Sequence, residues 1–117
     1  CAMTEETDLW DLEERVWSEG ADAARHKTAK GAVIVFPYPA GILQADALWR
    51  APEVAQRWRS MVMSDRVVRM QGDVALLAYQ VSAEREGTPI HEALCSSVYV
   101  RDEDSWLRMS HQQTPLS

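Results

Sequence analysis

The second half of the chain constrains the fold most. Between residues 55 and 113, the breaks "QGD", "REGTP" and "RDEDS" separate four runs rich in Val, Leu, Met, Tyr and Trp, roughly 55–70, 74–86, 90–101 and 105–113. Short polar breaks between β-branched and aromatic runs specify an antiparallel meander. Some runs exceed the usual five or six residues of a strand, so the sheet should bend or carry a bulge, and Ser64-Asp65 is the place expected for it.

A sheet of this kind needs an apolar cover, and the first quarter of the chain supplies one. "TEETDLWDLEERVWSEGADAARH" has Thr4 or Thr7 as a cap, Glu5, Glu6 and Asp8 at the positive end of the helix dipole, and no breaker before Gly20. At about 100° per residue, Leu9, Trp10, Leu12, Val16, Trp17, Ala21 and Ala24 share one half of the wheel. Glu13 falls inside that apolar arc. It either escapes along the helix flank to water or enters a pocket, because an unpaired ionised carboxylate is expensive to bury.

Between helix and meander, a helix stop is expected near Lys30-Gly31, followed by a short strand "AVIVF" and a turn at "PYPAG". "ILQADALWRAP" then reads as a brief strand running into a short helix that Pro52 ends. Helices first and a long curved sheet after is an α+β layout with one core. At 117 residues the chain suits one domain, taken as 4–117, with 1–3 as a cloning remnant or disordered N-terminus.

Facing residues of an antiparallel pair lie on the same side of a sheet, so pairing parity predicts which residues meet the helix. With Gly87-Thr88 and Asp102-Glu103-Asp104 as the loops, the inner face collects Leu77, Tyr79 and Val81, then Leu94, Ser96 and Val98, then Trp106, Arg108, Ser110 and Gln112. The outer face collects Leu76, Ala78, Gln80, Cys95, Ser97, Tyr99, Met109 and His111. A slip of one residue in either loop exchanges the faces. On this map Glu13, Tyr79, Ser96, Arg108 and Gln112 are polar groups aimed inward, and buried polar groups need partners. Either they line a small-ligand site or they satisfy one another.

Composition narrows the partners. Eighteen acidic against twelve basic side chains give a charge of -6, which disfavours nucleic acid and anionic membranes, and no apolar run approaches bilayer length. The expected setting is cytoplasmic. His26, His91 and His111 lack ligand spacing and no CxxC occurs, so neither metal nor organic cofactor is expected, and no nucleotide loop is present.

The order of elements, together with "LEERVW", "GDVALLAYQVSAER", "ALCSSVYVR" and "WLRMSHQQTP", resembles the SnoaL-like and ketosteroid-isomerase-like branch of the nuclear transport factor two superfamily, over nearly the whole chain. The resemblance implies a cone, a curved sheet wrapped around helices with a cavity at its wide end, and frequently a homodimer. Members that are enzymes use a strand or loop carboxylate as base; "AKGAVIVFPYPAG" has no acid there, leaving Glu13 and Asp46.

Three functions follow as expectations. The first is a small-molecule-binding module for an apolar or weakly anionic ligand. Its pocket is bounded by Trp10, Trp17, Phe36, Tyr38, Tyr79 and Trp106, with Glu13, Ser96, Arg108 and Gln112 orienting the ligand. The second is a cofactor-independent isomerase, cyclase or dehydratase, in which Glu13, its pKa raised by an apolar site, is the base and Tyr79 or Arg108 holds the oxyanion. The third is a dimerising interaction domain with a packed interior, working through an outer sheet face that bears Tyr99, Met109 and His111.

Overall fold

A computed structural model describes residues 2–19, 25–37, 40–50, 58, 60–84, 87, 89–103 and 105–116, with the side chains of 2–5, 19, 45 and 46 outside it. Helix α1 spans Ala2–Glu19, strands β1 and β2 span Thr28–Phe36 and Gly41–Gln44, and helix α2 spans Ala45–Arg50. The meander follows as β3 (Ser60–Gln71), β4 (Val74–Glu84), β5 (His91–Asp102) and β6 (Ser105–Pro115). These strands form one sheet in the order β2-β1-β6-β5-β4-β3. β1 runs parallel to β6, and the other neighbours are antiparallel.

This is the expected α+β cone, with α1 laid across one face of a curved sheet. Leu9, Trp10, Glu13 and Trp17, at spacings of three and four, are the buried stripe of α1. They meet Ala75, Leu77, Tyr79 and Val81 of β4 and Ala93, Cys95 and Tyr99 of β5. Full burial of a side chain such as Leu9 or Leu77 contributes on the order of 2 kcal/mol. A second cluster, Ile34, Leu43 and Leu48 with Phe36 and Trp49 against it, joins β1, β2 and α2.

Two bulges decide what the sheet presents. On β3 the register shifts between Ser64 and Val67, so Asp65 and Arg66 together oppose Tyr79, and Asp65 takes a left-handed backbone at φ 53°. This is the bend expected at Ser64-Asp65, and Asp is among the few L-residues that adopt αL routinely. On β6, Tyr99 pairs with Arg108 but Val98 pairs with Ser110, which leaves Met109 as an extra residue.

β1 begins at Thr28, not after Gly31, so the expected helix stop at Lys30-Gly31 lies within a strand. Gly31 sits at φ 80°, where β1 advances five residues from Thr28 to Val33 while β6 advances two. Glycine adopts that backbone without a steric penalty. Among the described residues, no helix is long and apolar enough to cross a membrane.

The inner face differs from the parity map in β5 and most of β6. Ala83 pairs with His91 and Tyr79 with Cys95, so the β4–β5 connection is one residue out of step with a turn centred on Gly87-Thr88. Cys95, Ser97 and Tyr99 therefore face α1, and Leu94, Ser96 and Val98 face away. On β6, Arg108 points inward as expected, because Asp102 pairs with Ser105 and Tyr99 with Arg108: the β5–β6 turn is also one residue out of step with a loop of Asp102-Glu103-Asp104, and the two slips cancel. The Met109 bulge adds a third displacement, so beyond it His111 points inward and Ser110 and Gln112 outward.

Candidate functional site

Glu13 is fully buried, and the sheet surrounds its carboxylate with donors. Oε2 accepts from the Tyr79 hydroxyl at 2.5 Å, the Ser97 hydroxyl at 2.5 Å and Arg108 Nη2 at 2.9 Å, and Oε1 accepts from the Tyr99 hydroxyl at 2.7 Å. The Trp17 indole N–H donates to the Tyr79 oxygen at 2.9 Å, so α1 contributes both ends of a Trp17–Tyr79–Glu13 chain. Trp10 packs edge-on to the Tyr79 ring, centroids 5.7 Å apart.

His111 closes the cluster, and its tautomer follows from its neighbours. Nδ1 lies 2.7 Å from Arg108 Nη2, which can only donate, and 2.6 Å from Ser97 Oγ. Nδ1 is therefore the acceptor, and the ring proton sits on Nε2. Gln113 Nε2 lies 3.0 Å from His111 Nε2 and Gln113 Oε1 lies 3.1 Å from His91 Nε2; with the His111 proton on Nε2 the amide must be turned over, its oxygen accepting from His111 and its NH2 donating to His91. A continuous polar path thus runs from buried Glu13 to half-buried His91, which stacks on Trp58 at 5.4 Å.

Electrostatics fix the protonation states. Burial alone would raise the Glu13 pKa, but the Arg108 charge, with the hydrogen bond from Ser97, outweighs it and holds the carboxyl well below its usual range. This reverses the expected raised pKa: four donors fill the carboxylate's lone pairs, and such a group is a weak base. Burial also works against the Arg108 charge, yet Glu13 more than restores it. His111 is pushed down to about 4, by burial and then by Arg108, and stays neutral. Burial and the Glu13 charge raise Tyr79 and Tyr99 well above the ordinary tyrosine value and push the Cys95 thiol up to about 12. Arg108 Nε is buried without a hydrogen-bond partner.

Ser97, His111 and Glu13 bring together the residue types of a hydrolytic triad, a juxtaposition not anticipated from the sequence. The geometry is not that of a triad. Serine and carboxylate both crowd Nδ1, with Glu13 Oε2 at 3.4 Å, while Nε2 is taken by Gln113. Ser97 is 1% exposed, which leaves no approach for a substrate carbonyl.

Of the residues singled out from the sequence, the structure brings Glu13, Trp17, Tyr79 and Arg108 into this one cluster. Phe36 touches its edge, 6.3 Å from the His111 ring. Trp106 is half-buried beyond it, under the Arg101 guanidinium at 4.6 Å. Ser96 and Gln112 lie on the outer face and bond each other at 3.2 Å. Tyr38 and the Asp46 side chain lie outside the described residues. Ser97, Tyr99 and His111 were assigned to the outer face and belong inside. The signal for them was the odd spacing of the β4–β5 connection, which no residue type marks.

No family model and no curated protein sequence matches the chain. Solved structures do. A candidate ketosteroid isomerase from Parabacteroides distasonis superposes with a TM-score of 0.80 at 14% identity, covering 93% of this chain and 86% of that one. An NTF2-like protein from Cytophaga hutchinsonii gives 0.77 at 13%, covering 95% and 98%. The association domain of C. elegans CaMKII gives 0.74 at 13%, covering 96% of each chain. At such identities the likeness shows the fold: the chain has the cystatin-like, NTF2-like cone.

Proposed function

We propose that this NTF2-like cone is a self-associating interaction domain, that a second copy covers its outer sheet face, and that the Glu13 cluster holds the cone together rather than meeting a substrate. The composition of that face carries the reading. In register across the sheet lie Val67, Ala78, Ser96, Gln112, Val35 and Ile42, and beside them Arg69, Leu76, Val98, Ser110, Val33 and Gln44. The outward positions of β4, β5 and β6 from Val74 to Gln80, Leu94 to Val100 and Leu107 to Thr114 include no charged side chain, in a chain that is 26% charged. Val74, Leu76 and Leu94 are each more than 40% exposed there.

Six strands about 4.8 Å apart, over some 20 Å of their length, present on the order of 600 Å² in plan, close to the ~800 Å² per partner of a stable interface. The uncharged centre of the face on β4, β5 and β6 is also self-compatible, since a two-fold axis sets one patch against its own copy and no like charges then meet there. The likeness to a CaMKII association domain supports the same reading.

Light scattering after size exclusion at micromolar concentrations should give at least twice the 13.2 kDa chain mass. Leu76→Glu and Leu94→Glu should each give monomers with an unchanged far-ultraviolet spectrum. A monomeric wild type, or variants that keep the wild-type mass, would refute the proposal.

One observation favours a second reading, small-molecule binding. An open cavity of about 420 Å³ lies between α1 and the start of β6, with Leu12 and Trp106 as its apolar wall and Asp8, Asp11 and Arg15 at its rim. A ligand seated there would raise the melting temperature of wild type and not of Trp106→Ala.

A further inference from the structure

We infer that a second cleft, between β1 and α2, binds the oxyanion of a small molecule, a carboxylate or a phosphate. It is an open cleft of about 370 Å³ lined by Arg25, Thr28, Ala29, Lys30 and Trp49, a volume within the range of small-ligand sites. It opens where β1 departs from β6 between Thr28 and Val33.

Its charge runs against that of the molecule. In a chain of net charge -6, the charged side chains that line this cleft among the described residues are Arg25 and Lys30, and none of those lining residues is a carboxylate. Exposed charges more than about 8 Å away are largely screened at physiological ionic strength, so an anion in the cleft responds to these two cations and not to the net charge.

The site is also partly preorganised. The Arg25 guanidinium lies over the Trp49 ring at 5.1 Å, and Trp49 is itself anchored against Ile34, Leu43 and Leu48. Stacking by the face leaves the N–H edge of a guanidinium available, and that edge matches two oxygens of a carboxylate or phosphate. Lys30, on the strand side, adds a mobile point charge. Two cations of different geometry lining one cleft suit one oxyanion.

The test uses phenyl phosphate, benzoate and phenol, titrated into the 15N-labelled chain in low-salt buffer and followed by heteronuclear NMR. Both anions, or one of them, should shift the Thr28, Ala29 and Lys30 amides and the Trp49 indole; which one does so identifies the oxyanion. Phenol should leave them in place. Arg25→Ala with Lys30→Ala should weaken the anion by about tenfold or more, whereas Arg25→Lys, which keeps charge and loses the fork, should fall between. Both side chains are exposed, so the variants keep the fold, as the spectrum away from the cleft will register. Equal shifts from phenol, no shifts from either anion, or unchanged affinity in the double variant would overturn the assignment.

Discussion

Replacing Glu13 by Gln keeps the shape of the side chain and removes its charge, which isolates what the carboxylate contributes. In the wild type, Oε2 accepts three hydrogen bonds and Oε1 one. A glutamine must set its oxygen on the three-donor side, where an uncharged amide oxygen is a weaker acceptor for Tyr79, Ser97 and Arg108 than the carboxylate, and it leaves the Tyr99 O–H without an acceptor. Its NH2 can donate to Tyr99 once that hydroxyl turns. One buried donor is then unmet, at about 1–3 kcal/mol, and the 4%-exposed Arg108 loses its counter-charge. Together these reach the ~3–5 kcal/mol typical of breaking a buried ion pair, a large share of the 5–15 kcal/mol that holds an ordinary domain.

Urea unfolding followed by tryptophan fluorescence would report it, since Trp10 and Trp17 pack in this core. The melting temperature should fall by roughly 10–25 °C. Arg108→Met alone should cost a similar amount, and the double variant clearly less than the sum, because neither charge is then stranded. A loss below about 1 kcal/mol for Glu13→Gln with an unchanged urea slope, or strict additivity, would refute this account of the network.

Two pH limbs follow from the same cluster. His111 is held at about 4 against an ordinary 6.5, so the unfolded chain takes up its proton first: this stability is complete above pH 6.5 and is lost as pH falls towards 4, by roughly 3 kcal/mol. Glu13, depressed below its ordinary 4.5, adds a further loss below that value. His111→Gln should flatten the limb between 6.5 and 4, and a flat wild-type profile there would contradict the neutral histidine. At the alkaline end, Tyr79 and Tyr99 are raised, so the folded state resists their ionisation and stability falls above pH 10. Absorbance at 295 nm should show no more than one of the three tyrosines ionising before the fold opens. Reversible ionisation of two or three in the native state would exclude the hydrogen bonds to Glu13.

What the sequence made legible was periodic. The 3.6-residue pattern of α1 placed Leu9, Trp10 and Trp17 on the core and exposed Glu13 as the misfit. The polar breaks located four strands, and excess strand length with an Asp foretold the β3 bulge. What it hid depends on counting. Whether Ser96 or Ser97 looks inward is set by one residue in the connection between Ala83 and His91, and "EREGTPI" permits either register. Met109 bulges without a glycine, so nothing local announces it. Arg108 was placed correctly because two displacements of one residue cancelled, and His111, past the point of cancellation, was not.

The partners of Glu13 also set the order in which the molecule can be made. Tyr79, Ser97, Tyr99, Arg108 and His111 follow it by 66 to 98 residues, and the cation among them, Arg108, lies on the last strand, as does the parallel neighbour of β1. On the ribosome, α1 emerges ahead of the sheet, carrying a carboxylate whose cationic partner arrives only with β6. At about 5–20 residues per second, the nascent helix waits several seconds with its apolar stripe uncovered. Until β6 appears Glu13 has neither Arg108 nor His111 beside it, so the cost of burying its charge unpaired opposes early docking of α1.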